Sequence, residues 1–86
     1  MADEMKKPAE RVVVEIYGNA YPLKTDNPKH LIELAAELDK KMKLMSRGVR
    51  SFDDRKIAVL TALQIAEEYH QLKKDYEELV ELINEK

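Results

Sequence analysis

Two histidines, two pairs of adjacent glutamates and no cysteine are the raw material from which this sequence could build a reactive centre. His30 and His70 stand forty residues apart on separate segments. Without a local cluster of further ligands they read as solvated surface side chains rather than as a metal site. Glu67/Glu68 and Glu77/Glu78 could supply an acid and a base only if they converged. Neighbours on a helix point in different directions, so these pairs read as solvated faces. Gly18 and Gly48 are the only glycines, which leaves no glycine-rich phosphate loop. No serine, histidine and acid fall in a triad pattern. The absence of cysteine removes disulfides and thiolate metal sites. The expectation is therefore no catalytic residue, no cofactor and no metal. A small helical enzyme with arginine and glutamate between subunits would have no marked substrate pocket and would leave the N-terminal strands unexplained.

With chemistry set aside, the elements must carry the function. The chain has 86 residues, enough for one domain, and 44% of them are hydrophobic, enough for a core. A domain this small buries only about 60% of its unfolded surface by itself, so packing against another copy is the expected supplement. No apolar run approaches the roughly 20 residues of a membrane span. The start, "MADEMKKPAE", has no apolar core of a secretory signal. These features predict a cytoplasmic protein without membrane insertion.

Residues 1–10 read as a flexible tail. "RVVVEIY" (11–17) reads as a strand with Val12, Val14 and Ile16 on one face and Val13, Glu15 and Tyr17 on the other. Gly18-Asn19 is the expected two-residue hairpin turn of type II′, and "AYPLKT" (20–25) the return strand. Pro22 lacks an N–H and places that strand at an edge. A helix should then open at Asp26 or Asn27 with Pro28 in its first turn. Leu31, Leu34, Ala35, Leu38, Met42 and Met45 give it one apolar face, and Gly48 a stop. Ser51 or Asp53 can cap the last helix, with Ser51 and Asp54 at capping-box spacing. From Asp53 to Glu85 that helix would span about 50 Å, longer than the rest of the chain can cover.

The last helix changes character along its length. Ala58, Ala62, Ile65, Tyr69, Leu72, Tyr76, Leu79 and Ile83 recur at alternating steps of four and three. That is a heptad seam with Ala62, Tyr69, Tyr76 and Ile83 at a positions and Ile65, Leu72 and Leu79 at d positions. Ile57, Val59, Leu60, Leu63 and Ala66 add apolar side chains off the seam in the first half, whereas only Val80 and Leu82 do so beyond. The first half thus has two surfaces to satisfy, its own domain and a partner chain, and the second half has one. The predicted fold class is α+β, mostly α. A β-hairpin, a helix and a basic loop form a small head (11–56), and a long helix (57–86) packs its first half on that head and makes an intermolecular coiled coil with its second. A homo-oligomer follows, because a soluble monomer rarely leaves such a strip exposed.

Charge is unevenly placed. In residues 40–56, Lys40, Lys41, Lys43, Arg47, Arg50, Arg55 and Lys56 outweigh Asp53 and Asp54, while residues 67–86 are strongly acidic. A basic elbow of this kind attracts an acidic partner and steers its docking. A small dimeric nucleic-acid-binding regulator using the elbow at 40–56 is the alternative. The net charge of −2, the acidic rod and the lack of a recognition helix argue against it.

"VVVEIYGNAYPLKTD", "LAAELDKKM" and "IAVLTALQIAEEYHQLK" together resemble the ZapA family of bacterial cell-division proteins. The resemblance covers roughly residues 11–86, with Gln64 where family members usually carry asparagine. It implies a non-enzymatic protein that binds the tubulin-like FtsZ, bundles its protofilaments and promotes Z-ring assembly at mid-cell. It also implies dimers formed through head and helix, joined in pairs by the coiled coil. FtsZ proteins are acidic, which suits the elbow. The resemblance carries FtsZ contact onto Lys41, Arg47, Arg50 and Arg55, with Arg50 foremost because it lies in the loop outside any apolar pattern.

Overall fold

The chain folds from a tight turn outward. The computed structural model describes residues 8–50 and 53–84. Strand β1 (Glu10–Ile16) and strand β2 (Asn19–Thr25) form an antiparallel pair in which Ile16 faces Asn19. The connecting residues are therefore Tyr17 and Gly18, with φ of +51° and +80°. Positive φ at both central positions defines a type I′ turn, one residue earlier than the expected type II′ turn at Gly18-Asn19.

Pro22 explains the shift. In a two-residue hairpin the pair flanking the turn is hydrogen-bonded, and pairs alternate outward from it. With Ile16 opposite Asn19, Pro22 faces Val13 at a non-hydrogen-bonded position, and its missing N–H costs the ladder nothing. A turn at Gly18-Asn19 would have placed Pro22 in a bonded pair. Tyr17 is an unusual residue for left-handed backbone. Its N–H donates to Asp39 Oδ1 at 2.7 Å, and the Asn19 side chain donates to its carbonyl at 3.3 Å.

Helix α1 (Pro28–Gly48) starts as its sequence dictates. Asn27 is the N-cap: its side-chain oxygen accepts from the His30 N–H at 3.2 Å, and its carbonyl from the Leu31 N–H at 3.1 Å. Pro28 occupies the first helical position, where an N–H has no partner to lose. Gly48 does not act as a left-handed stop; it closes the helix, and the chain leaves through extended Val49. Helix α1 packs on β1, with Val14, Ala35 and Met42 buried and Leu31, Leu38 and Met45 half-buried. Leu34, expected on the apolar face, is largely exposed.

Helix α2 (Asp54–Asn84) is 31 residues long, about 46 Å at 1.5 Å per residue. Asp53 caps it, accepting the Arg55 N–H at 3.0 Å with its side chain and the Ile57 N–H at 3.1 Å with its carbonyl. The alternative cap, Ser51, and the predicted last helical residue, Glu85, lie outside the described residues. Ile57 and Thr61 are buried, and the Thr61 hydroxyl is satisfied by donating to the Ile57 carbonyl at 2.7 Å. The chain divides into two units, one holding β1, β2 and α1 and the other α2.

Candidate functional site

The largest chemical feature of α2 is a ridge with nothing on it. Ala62, Ile65, Tyr69, Leu72, Tyr76, Leu79 and Ile83 follow one another over about 32 Å of helix, and every one of them is exposed. Ile65 leaves 36% of its surface uncovered and Leu72 leaves 68%. Burying an aliphatic side chain of this size contributes about 1.5–3 kcal/mol, so the uncovered ridge leaves a large favourable burial unmade in the single chain. Polar residues flank it, as in Gln71, whose side-chain amide donates to Asp75 at 2.9 Å. Val59 and Leu63 make a second exposed apolar strip, on the side of α2 opposite buried Ile57 and Thr61.

The four basic residues singled out by the sequence do not share one face. Lys41 is half-buried on a flank of α1 and already engaged in an interaction. Arg47 is exposed in the last turn of α1, where its charge complements the helix dipole. Six residues of helical rotation put these two side chains about 120° apart around α1. Arg50 is exposed just beyond Val49. Arg55, in the first turn of α2, has a solvated side chain whose Nε lies 3.9 Å from the Asp53 carboxylate. Lys40 and Lys43, rather than Lys41, lie on the side of α1 that carries Arg47. Lys43 is itself tied down by an ion pair to Asp39 at 2.9 Å.

Asp39 is the residue that sequence reasoning overlooked. Its carboxylate takes the Tyr17 N–H with one oxygen and Lys43 Nζ with the other. The hydrogen bond from Lys43, then that from Tyr17, holds its carboxyl below the usual carboxylate value. Lys43 is raised in turn by its hydrogen bond to Asp39, with a smaller contribution from the charge of Glu15. The i,i+4 spacing of Asp39 and Lys43 is a local signal, but no local pattern marks the backbone partner, which Asp39 reaches across 22 positions of sequence.

An exposed apolar ridge of this length on α2 is a surface suited to packing against another polypeptide. The model of the family described as "Cell division protein ZapA" matches residues 12–86. The chain belongs to the ZapA family. ZapA of Geobacillus thermodenitrificans is 44% identical over 80 residues, covering 92% of this chain and 85% of that protein. ZapA of Shouchella clausii is 41% identical over 69 residues, covering 79% and 88%. A ZapA mutant dimer from Geobacillus stearothermophilus superposes with a TM-score of 0.67 at 42% identity, covering 90% of this chain and 91% of that one. The hairpin followed by two helices is thus a ZapA fold, and ZapA is a non-enzymatic cell-division family. A dimeric ZapA neighbour supports a homo-oligomer here too. No described helix is long and apolar enough to cross a membrane.

Proposed function

We propose that this protein is an oligomeric cross-linker of FtsZ filaments. It self-associates through α2, binds FtsZ through its basic residues, bundles protofilaments and so promotes Z-ring assembly and stability at mid-cell in the cytoplasm. The observation that carries the reading is the uncovered ridge from Ala62 to Ile83. In this division of labour residues 11–56 present the FtsZ-binding surface and the second half of the long helix is the coiled-coil rod. Symmetry then multiplies the heads. Several weak contacts to a polymer combine into tight binding, because each later contact is intramolecular.

Lys41, Arg47, Arg50 and Arg55 are the proposed contacts. Arg50 is the one to test, being exposed and outside both helices. Arg50→Glu should weaken co-sedimentation with polymerised FtsZ several-fold at low salt while leaving the oligomer mass unchanged. Unchanged bundling by that variant removes Arg50 from the interface. A wild-type protein that neither co-sediments with FtsZ filaments nor thickens them in electron micrographs refutes the cross-linking role.

A further inference from the structure

Arg11 and Lys24, we propose, form a binding site for a small organic phosphate on the face of the hairpin turned away from α1. The phase of the ladder brings them together. Val12, Val14 and Ile16 turn toward α1, so Arg11 and Val13 turn the other way, and Arg11 faces Lys24 across the strands. This pair is of the same non-hydrogen-bonded kind as Val13 and Pro22. In such pairs the Cα atoms stand about 4.5 Å apart and the side chains approach more closely than in bonded pairs. Two like charges held there destabilise the ladder. Nothing in the hairpin neutralises them. Among the described residues Arg11 and Lys24 are exposed and make no hydrogen bond or ion pair, whereas Lys43 has Asp39 at 2.9 Å. Glu15, the acid on the same face, lies two pairs along the ladder, about 13 Å away.

The space beside the pair has room for a ligand. A cleft of about 300 Å³ opens where Arg11 and Lys24 meet Pro22 and Leu23. That volume is at the lower end for small-molecule sites, which combine apolar walls with a few polar groups that fix orientation. Chemistry selects the anion. A guanidinium offers two parallel N–H donors to an oxyanion, and an ammonium adds a compact point charge. Two cations match a phosphate monoester, which carries about −1.5 to −2 charges at neutral pH. A single carboxylate would leave one cation uncompensated. The phosphate group fills only part of the cleft, and exposed Pro22 and Leu23 supply an apolar wall for the rest of the ligand. The site belongs to the hairpin alone. It is distinct from the α2 ridge and from Lys41, Arg47, Arg50 and Arg55, and it stands whether or not FtsZ is the partner.

Phenyl phosphate and inorganic phosphate are the probes, titrated into nitrogen-labelled protein against sodium chloride of equal ionic strength. Both should move the amide signals of Arg11, Leu23 and Lys24, phenyl phosphate at the lower concentration. Arg11→Gln and Lys24→Gln should each weaken phenyl phosphate binding about tenfold, the loss of one charge-assisted contact. Arg47→Gln should leave it unchanged. Each of the two hairpin variants relieves the like-charge conflict, so its urea midpoint without ligand should rise. Phenyl phosphate should raise the midpoint of the wild type and not theirs. Equal signal changes with chloride, or hairpin variants that bind phenyl phosphate as tightly as the wild type, overturn the site. So does a wild-type protein blind to both phosphates whose Arg11→Gln form loses co-sedimentation with FtsZ, a result that assigns the pair to a protein contact instead.

Discussion

Leu79→Glu tests the ridge most directly. Leu79 sits at a d position and leaves 56% of its surface uncovered in the single chain. Full burial of a leucine is worth about 1.5–3 kcal/mol, so covering the remaining half contributes about 1–1.5 kcal/mol per chain. A symmetric pair loses this twice, about 2–3 kcal/mol, which raises the dimer dissociation constant about 30- to 150-fold. Placing a carboxylate against an apolar partner adds a desolvation cost, so the lower figure is a floor. The assay is sedimentation equilibrium over a wide concentration range, with far-UV circular dichroism to show that the helices persist. Leu82→Glu is the control. Leu82 is 66% exposed but lies off the heptad phase, and its substitution should leave association nearly unchanged. A Leu79→Glu protein that associates within a few-fold of wild type, or a Leu82→Glu protein equally impaired, refutes the heptad assignment.

Two further outcomes concern the head. Gly18→Ala should cost about 1 kcal/mol in urea denaturation, all of it from backbone strain at φ +80°, because a Cβ there meets nothing within 4 Å. Asp39 has a folded-state pKa below its ordinary 3.8, so its contribution is present above that value and is lost as pH falls through the depressed one. Asp39→Asn should therefore lower stability at neutral pH and flatten the loss of stability below about pH 4, read from urea midpoints across pH. Lys43 has the opposite sign: raised above 10.5, it contributes below that value and its share disappears only as pH climbs beyond it.

How much of this could be read from residues alone differs by element. The start of α1 was legible to within one residue, Asp26 or Asn27, because the cap and Pro28 act within one turn of themselves; the structure selects Asn27. The alternation of β1 was legible for the same reason: Val12, Val14 and Ile16 do turn inward. The turn was misplaced by one residue. Gly18-Asn19 is a good local signal, but the register also had to satisfy Pro22, whose constraint is felt only once the strands are paired. Leu34 matched the helical period yet stayed exposed, since it sits at the rim of a face already filled by Ala35, Leu38 and Met42. At the candidate site the apolar repeat of α2 was visible in the spacing, and the structure shows its residues exposed. The basic segment read as one patch, and helical rotation separates Lys41 from Arg47 while Asp39 engages Lys43. Both effects follow from helical spacing within α1, the Asp39–Lys43 pair being i,i+4, which a linear charge count does not record.

The bond from Tyr17 to Asp39 also sets a rule for how this chain can change length. A single residue inserted between Asn27 and Asp39 would swing the carboxylate about 100° around α1 and leave the hairpin tip unlatched. Losses or gains in that stretch are tolerable only near whole turns. The ridge of α2 obeys a different metre, since removing seven residues from it shortens the rod without breaking its phase. Relatives of differing size should vary in the rod by heptads and keep the distance from cap to latch constant.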